Sequence, residues 1–321
     1  MSVDKKLLAI AIIVTIAGVS VFTLYQMQTQ TTGLVILHAG SLAVPFSSLK
    51  EIFMQQNPNV NVILEGHGSV TCARLIIEGN RTADILAVAD YNVIKEYIFP
   101  ANFSDWYIIF ARNEMVIAYT SKSRYADEIN STNWYEILNR TDVKYGHSDP
   151  NQDPCGYRTL MVWMLADIYY NKSVYESLNQ NTTRRIIRPK SVELIALLES
   201  GELDYAFEYR SVAVQHNLSY VELPPEINLG YWDKADIYAK VNVTLSDGTT
   251  IVGQPILYGI TIPKNAPHAD LAVKFIQLLL SETGQEVFEN AGQPPIYPAL
   301  ANDVTKVPPE LQGNVTNYTP P

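Results

Sequence analysis

Short apolar runs along the chain alternate with stretches in which apolar residues recur every three or four positions, the pattern of strands feeding helices. Leu34–Leu37 reads as a short strand, and Leu42, Phe46, Leu49, Ile52 and Phe53 follow at helical spacing until Asn57-Pro58 stops the helix. Val60–Leu64 is the next strand, and Ala73, Leu75, Ile76 and Ile77 mark a helix closed by Gly79. Ala83–Ala89 is a third strand, whose apolar centre between Asp84 and Asp90 suits a parallel strand buried on both faces. The order is β-α-β, in which ligands bind at the carboxyl ends of the strands.

A second region opens near Met115–Thr120. Asn133-Trp134-Tyr135-Glu136 has the spacing of a capping box, and Val143–His147 reads as a strand. After the loop Ser148–Cys155 comes a long helix with Leu160, Met161, Met164, Leu165 and Ile168 on one face, a stripe that reads as core rather than as a cofactor box. Ser191–Leu198 reads as a helix, Asp204–Glu208 as a strand, and Ser211–His216 as a short helix. A hairpin turns at Asp247-Gly248. Pro255–Pro263 is a strand that returns the chain to two helices, Ala269–Leu280 and Glu282–Asn290, with Gly292 as their stop, and Val307 to Pro321 read as a tail.

Two turns carry the candidate chemistry. His38-Ala39-Gly40-Ser41 closes the first strand and Gly66-His67-Gly68-Ser69 the second. Each puts glycine and a hydroxyl where a strand gives way to a helix, so backbone N–H groups and a helix N-terminus can converge on one anion without a cationic side chain. Serine is also a common N-cap, and either turn alone is an ordinary helix start. Two of them in successive strand–helix units point to an oxyanion site.

Charge and composition narrow the class. A net charge of −10 argues against a nucleic-acid partner and leaves any anion to be held by local dipoles rather than by an overall positive field. Cys72 and Cys155 cannot make a four-thiolate zinc site; they form one disulfide or stay as buried free thiols. Asp4-Lys5-Lys6 precede an uncharged apolar stretch from Leu7 to about Tyr25, long enough to cross a membrane, and the lysines place the rest of the chain outside the cell. It reads as an anchor or uncleaved signal, with cleavage as the alternative. Asn-X-Ser/Thr triplets begin at Asn80, Asn102, Asn130, Asn139, Asn171, Asn181, Asn217, Asn242, Asn314 and Asn317, more than chance supplies, which suggests a glycosylated outer surface. The roughly 290 residues beyond the apolar stretch are enough for two lobes with separate cores.

Six blocks taken together carry a family resemblance. They are His-Ala-Gly-Ser-Leu at 38–42, Gly-His-Gly-Ser-Val at 66–70, Thr-Ala-Asp-Ile-Leu-Ala-Val-Ala-Asp at 82–90, Asp-Pro-Asn-Gln-Asp-Pro-Cys-Gly-Tyr-Arg at 149–158, Phe-Glu-Tyr-Arg-Ser-Val-Ala at 207–213 and Glu-Leu-Pro-Pro-Glu-Ile-Asn-Leu at 222–229. In this order, from about Leu34 to Leu300, the chain resembles the archaeal tungstate/molybdate-binding proteins of ABC importers, the WtpA/ModA group of extracellular solute-binding proteins. The resemblance implies a type II periplasmic-binding-protein fold: two α/β lobes joined by two crossover strands, with the ligand in the cleft between them. Mapped here, residues 1–32 are the anchor or signal, 33–117 plus 257–321 the first lobe and 118–256 the second, with Met115–Thr120 and Leu257–Ile262 as the crossovers.

The same resemblance implies a site. Gly40 and Ser41 match the family's first oxyanion loop and Ser69 its second. Asp153, Pro154 and Cys155 match the loop that opens the long helix of lobe two. Asp153 and Glu208 match two carboxylates that reach the metal directly, completing an octahedron around four oxo groups, and Glu226 is a neighbouring match. No separate cofactor is implied, since tungstate or molybdate is the ligand itself. The implied partners are the permease subunits of an ABC transporter with their ATPase, and the implied state is a monomer held at the cell surface.

The same residues also have plain structural readings. Asp153 is an ordinary helix N-terminal acid, and Glu208 a partner for Arg210 or Arg158. Asp84 and Asp90 cap or pair, His38 and His67 pack, and Arg158 braces a carboxylate. Sulfate or ferric iron remains an alternative ligand for the same fold; twenty tyrosines suit iron, while the serine turns fit it poorly. An enzyme has less support, because the sequence contains no Gly-x-Ser-x-Gly elbow, no Walker loop and no His-x-x-x-His pair.

Overall fold

The computed structural model describes residues 31–79 and 81–318. The apolar stretch from Leu7 to Tyr25 and the triplet asparagine Asn80 lie outside the described residues. Among those described, no helix is long and apolar enough to cross a membrane.

The chain first runs β1 (Thr32–Ala39), α1 (Ala43–Gln56), β2 (Val60–His67), α2 (Ser69–Ile77), β3 (Ile85–Val88), a π-helical turn and β4 (Ile108–Arg112). It then builds a second body from β5 (Met115–Tyr119), α3 (Trp134–Leu138), β6 (Tyr145–Ser148), α4 (Pro154–Tyr170), α5 (Val174–Asn179), β7 (Arg185–Arg188), α6 (Glu193–Ser200), β8 (Tyr205–Tyr209), α7 (Arg210–Gln215) and β9 (Ser219–Glu222). After α8 (Ala235–Tyr238), β10 (Asn242–Thr244) and β11 (Thr250–Val252) form a separate hairpin. The chain returns through β12 (Leu257–Thr261), α9 (Ala269–Leu280), α10 (Glu282–Asn290), β13 (Pro295–Ala301) and β14 (Val315–Asn317).

These strands make two main sheets. One has seven strands in the order β14-β13-β4-β12-β3-β1-β2, and the other five in the order β7-β6-β8-β5-β9. Both are covered on two faces. Leu34 and Ile36 of β1 pack with Phe46, Leu49 and Phe53 of α1 and Phe275 of α9, while the alternate residue Leu37 packs with Ala73 and Ile76 of α2. In the second sheet Ile117 and Phe207 meet Trp163 of α4, and Val116 and Ala206 meet Leu194 and Leu198 of α6. The apolar centre of β3 is buried throughout, as its sequence requires.

The chain passes between the sheets twice, at Asn113–Glu114 and at residues 253–256. Met115–Tyr119 belongs wholly to the five-stranded sheet and Leu257–Thr261 wholly to the seven-stranded one. The linking segments are therefore short turns beside these strands.

Two expectations fail for local reasons. Residues 307–318 are not a tail: Val307 and Leu311 are buried, and β14 adds a parallel edge strand to β13. Pro308-Pro309 and Gly313 hide this from periodicity, because isolated apolar residues, rather than a repeating pattern, anchor the segment. The capping box at Asn133 does not form; its side-chain oxygen accepts from the Asn130 N–H at 2.8 Å, and α3 starts without a side-chain cap.

Phe46 lies at the centre of the first core, edge-on to Phe275 and Phe288. Phe46→Ala is expected to destabilise the protein by about 3–5 kcal/mol, read as a lower midpoint in denaturant unfolding.

Candidate functional site

Strand register sets the first half of the site. β1 and β2 run parallel with His38 opposite Gly66 and Ala39 opposite His67, so the two glycine-serine turns leave the sheet side by side at its carboxyl edge. Gly66 must be small, because a Cβ there would come to 3.0 Å from the His38 ring. Gly40 and Ser41 are exposed and open a short 3-10 turn into α1, while Gly68 leads into α2 at Ser69. Neither start has a side-chain cap, which leaves its first N–H groups available to an anion. The Ser69 hydroxyl accepts from the Ala89 N–H at 3.1 Å, so its own hydrogen remains to be donated.

The second half comes from α4 and β8. Asp153 caps α4, its two oxygens accepting from the Cys155 N–H at 3.0 Å and the Ser191 N–H at 2.7 Å. Pro154 follows at the position where a missing N–H costs nothing. A side chain on Gly156 would collide with the Ser148 carbonyl and the Asp149 backbone, so the start of α4 lies directly on the preceding loop. The Cys155 thiol is buried and donates to the Phe207 carbonyl at 3.5 Å.

Glu208 lies opposite Val116 in the sheet, fully buried, and neither of its oxygens is hydrogen-bonded. Burial pushes its carboxyl up to about 8; the Asp153 charge adds to that, while Ser191 and the Tyr209 backbone pull the other way from nearby without closing a bond onto it. The same burial, with Glu208 and Asp153 adjacent, raises the Cys155 thiol well above its ordinary range.

Arg158 faces across toward the first lobe. It donates to the Tyr209 hydroxyl at 2.5 Å, so its direct partner is a phenol and not the carboxylate expected of it. Burial opposes its charge, but Tyr209, Tyr157 and the Asp90 carboxylate beyond the end of β3 outweigh that opposition. Tyr258 of β12 is within the influence of both Arg158 and the Ser41 hydroxyl.

Behind the cleft a buried polar chain crosses between the lobes. Gln293 donates to the Ser41 carbonyl at 2.6 Å and to the Tyr258 hydroxyl at 3.2 Å. Asn113 donates to Tyr258 at 3.0 Å and to the Ser211 hydroxyl at 2.8 Å. Beside it the Glu114 carboxylate takes Arg112 at 2.5 Å, Arg210 at 3.1 Å and Asn228 at 3.2 Å, and Arg210 reaches on to Glu289 at 2.8 Å. Sequence reasoning missed Gln293, Tyr258, Asn113 and Ser191, which are common residue types outside any motif. The position of Gln293 directly after the Gly292 stop was the one available signal.

The remaining candidates fall elsewhere. Glu226 pairs with Lys234 at 3.8 Å, and no described contact joins it to Asp153 or Glu208. Asp84 accepts from the backbone N–H groups of Val35 and His268, and Asp90 from that of Asn92. The His38 ring nitrogen lies against the Ala39 carbonyl, with burial lowering its pKa. Cys72 and Cys155 are both buried free thiols, one in each lobe, so no disulfide forms between them. Among the described residues no group of three or more His, Cys, Asp or Glu could hold a bare metal ion.

The family described as bacterial extracellular solute-binding protein matches residues 34–293. A molybdate/tungstate-binding protein WtpA from Pyrococcus abyssi is 45% identical, the match covering 98% of this chain and 99% of the relative. A relative from Petrotoga mobilis described only as an uncharacterized solute-binding protein is 48% identical over 90% of this chain and 92% of its own. The solved periplasmic molybdate-binding protein of Azotobacter vinelandii shares the fold with a TM-score of 0.52 at 15% identity, covering 81% of this chain and 98% of that one.

The raised Glu208 carboxyl has a stability consequence. The folded chain holds this proton more tightly than the unfolded chain, so the stabilisation is complete below the ordinary carboxylate range and is lost as pH rises toward about 8. Glu208→Gln cannot ionise, and its melting temperature is expected to be flatter across that interval and above that of the parent at pH 9, as read by calorimetry on the ligand-free protein.

Proposed function

The chain belongs to the bacterial extracellular solute-binding proteins and has their type II periplasmic-binding-protein fold, and on that premise we propose that it captures tungstate and molybdate for an ABC importer. The observation that carries this reading is Glu208, a fully buried carboxylate with no hydrogen bond to either oxygen, next to Asp153 and within the lobe that faces the serine turns. Left alone, such a group is costly; a ligand that bonds to it removes the cost.

The chemistry of the ligand follows from the donor set. Uncapped N–H groups and the Ser41 and Ser69 hydroxyls suit oxo atoms, which only accept hydrogen bonds. Two carboxylates repel a dianion unless they touch something positive. Tungsten or molybdenum in its highest oxidation state supplies that centre and has room for two more oxygens, so Asp153 and Glu208 complete an octahedron around an ion that brings four oxo groups with it. Sulfur in sulfate does not expand its coordination this way, and the carboxylates reject it. Asp153 and Glu208 alone are too few anionic ligands for a bare ferric ion, and the Tyr209 hydroxyl near them is already taken by Arg158.

In this reading Asp153 turns from its cap toward the metal. Glu208, enclosed in the arrangement described, is reached when the lobes shift about Asn113–Glu114 and residues 253–256. The N-terminal apolar segment tethers the protein outside the cell, and the closed lobes present the loaded form to the permease and its ATPase.

Thermal-shift titration tests the ligand class. Tungstate and molybdate at about a thousand times their dissociation constants are expected to add roughly 4 kcal/mol to stability, with little effect from sulfate, phosphate or ferric citrate. Asp153→Asn, which keeps an oxygen for the cap, and Glu208→Gln are expected to weaken tungstate binding on the order of ten- to hundredfold and to admit sulfate. Unchanged tungstate affinity in both variants removes the carboxylates from the site.

Proton counting tests the bond itself. A carboxylate that ligates metal must be ionised, so below about pH 8 binding expels the Glu208 proton and affinity rises with pH toward that value. Calorimetry at pH 7 in buffers of different ionisation enthalpy is expected to show close to one proton released per tungstate. Proton exchange close to zero would mean instead that a still-protonated Glu208 donates to an oxo atom.

A further inference from the structure

Ten of the 22 asparagines open an Asn-X-Ser/Thr triplet, whereas 40 serines and threonines in 321 residues would supply only about three by chance. Nine of these triplet asparagines lie among the described residues, and none of the nine is buried.

Four of them gather at one end of the second lobe. Tyr170, which precedes Asn171, donates its hydroxyl to the carbonyl of Ser131, which follows Asn130, at 2.5 Å. Asn139 donates to the Ser177 hydroxyl of α5 at 3.0 Å. Arg184, three residues past Asn181, donates to the carbonyl oxygens of Leu138 at 2.8 Å and Asn139 at 3.4 Å. Between the triplets lies an aromatic surface in which the Tyr135 and Tyr170 rings are 4.7 Å apart and Tyr169 lies against Tyr170. Next to it Ile168 and Tyr169 are 53% and 48% exposed, among the most open large apolar side chains described. Asp153 starts α4 and Asn171 ends it; 17 residues of helix put this end about 25 Å from the binding cleft.

We propose that this end of the second lobe is a glycan-bearing surface, with N-linked sugar on Asn130, Asn139 and Asn171 covering the exposed Ile168 and Tyr169 and the half-buried Tyr135. The occupant of the apolar patch is thus the chain's own modification, consistent with an extracellular family. The patch suits it, because the C–H faces of sugar rings are apolar and stack on aromatic rings, while their hydroxyls remain in water.

Asn130 is the best prepared of the three. Its side-chain oxygen accepts from both the Thr132 N–H at 2.9 Å and the Thr132 hydroxyl at 2.7 Å, a turn that polarises the amide and presents it at an exposed corner. In the transfer, the amide nitrogen attacks the anomeric carbon of an oligosaccharide carried on a polyprenyl phosphate or pyrophosphate. The C–N bond forms, the C–O bond to phosphate breaks, the lipid phosphate leaves with the electron pair, and the amide gives up one proton.

Asn102 supplies the contrast within the same chain. Its side-chain oxygen holds the Lys264 ammonium at 2.7 Å, and the Ser104 hydroxyl of its triplet is buried against Thr261 at 2.8 Å. Asn102 itself is exposed, but the Ser104 hydroxyl that a transferase would have to engage is buried in the folded chain.

The experiment is peptide mass spectrometry on the full chain purified from its own host. Sugar is expected on the peptides holding Asn130, Asn139 and Asn171, with Asn102 bare. Thr132→Ala is expected to remove the Asn130 sugar alone and to leave tungstate affinity unchanged. A bare Asn130 peptide, or sugar confined to triplets away from this end, overturns the proposal. The readout does not depend on which anion the cleft takes.

Discussion

The relation between the two sheets depends on one buried carboxylate. Glu114 sits at the first crossing with its side chain only 5% exposed and gathers Arg112 from the first lobe, Arg210 from the second and Asn228 from the loop after β9. A charge so enclosed cannot lose a partner cheaply, because the remaining groups would be left uncompensated in a region of low dielectric. Asn113 next to it ties Tyr258 to Ser211, and Arg210 continues to Glu289. The result is a continuous polar tie between the two sheets, placed where the chain first crosses between them.

The two sides of the proposed site differ in chemistry. A chain of net charge −10 offers neutral donors on one side and an enclosed, unpartnered acid on the other. In a purely structural setting an apolar residue at 208 would be more stable. Strain of this kind is retained where function needs it, at some cost in stability.

Much of this could be read from the residues themselves. Helical spacing in 42–53, the alternation of strands and helices, and the paired Gly-Ser turns gave the first lobe's architecture and one half of the candidate site, because amphipathic helices and uncapped strand ends leave local marks. β4 and β13 left none: β4 is buried almost throughout and so does not alternate, and prolines interrupt β13. The segment that reads as a tail is held by single residues such as Leu311. Gln293, Tyr258 and Asn113 are legible only in three dimensions, since each acts through a neighbour far along the chain. The enclosure of Glu208 likewise depends on how α4 and β8 meet.

The two halves of the cleft differ in access, and that difference orders events in time. Gly40, Ser41 and the 66–68 turn lie open to solvent, while Glu208 is fully buried. Under the proposed reading, an arriving anion meets the donors first and the acid later, after the lobes have moved. An ion whose central atom cannot take up the acid would rest briefly on the turns and diffuse off, so rejection operates as a short dwell time rather than as a closed door. For an ion that completed the proposed second step, departure would be as slow as the movement that uncovers Glu208 again.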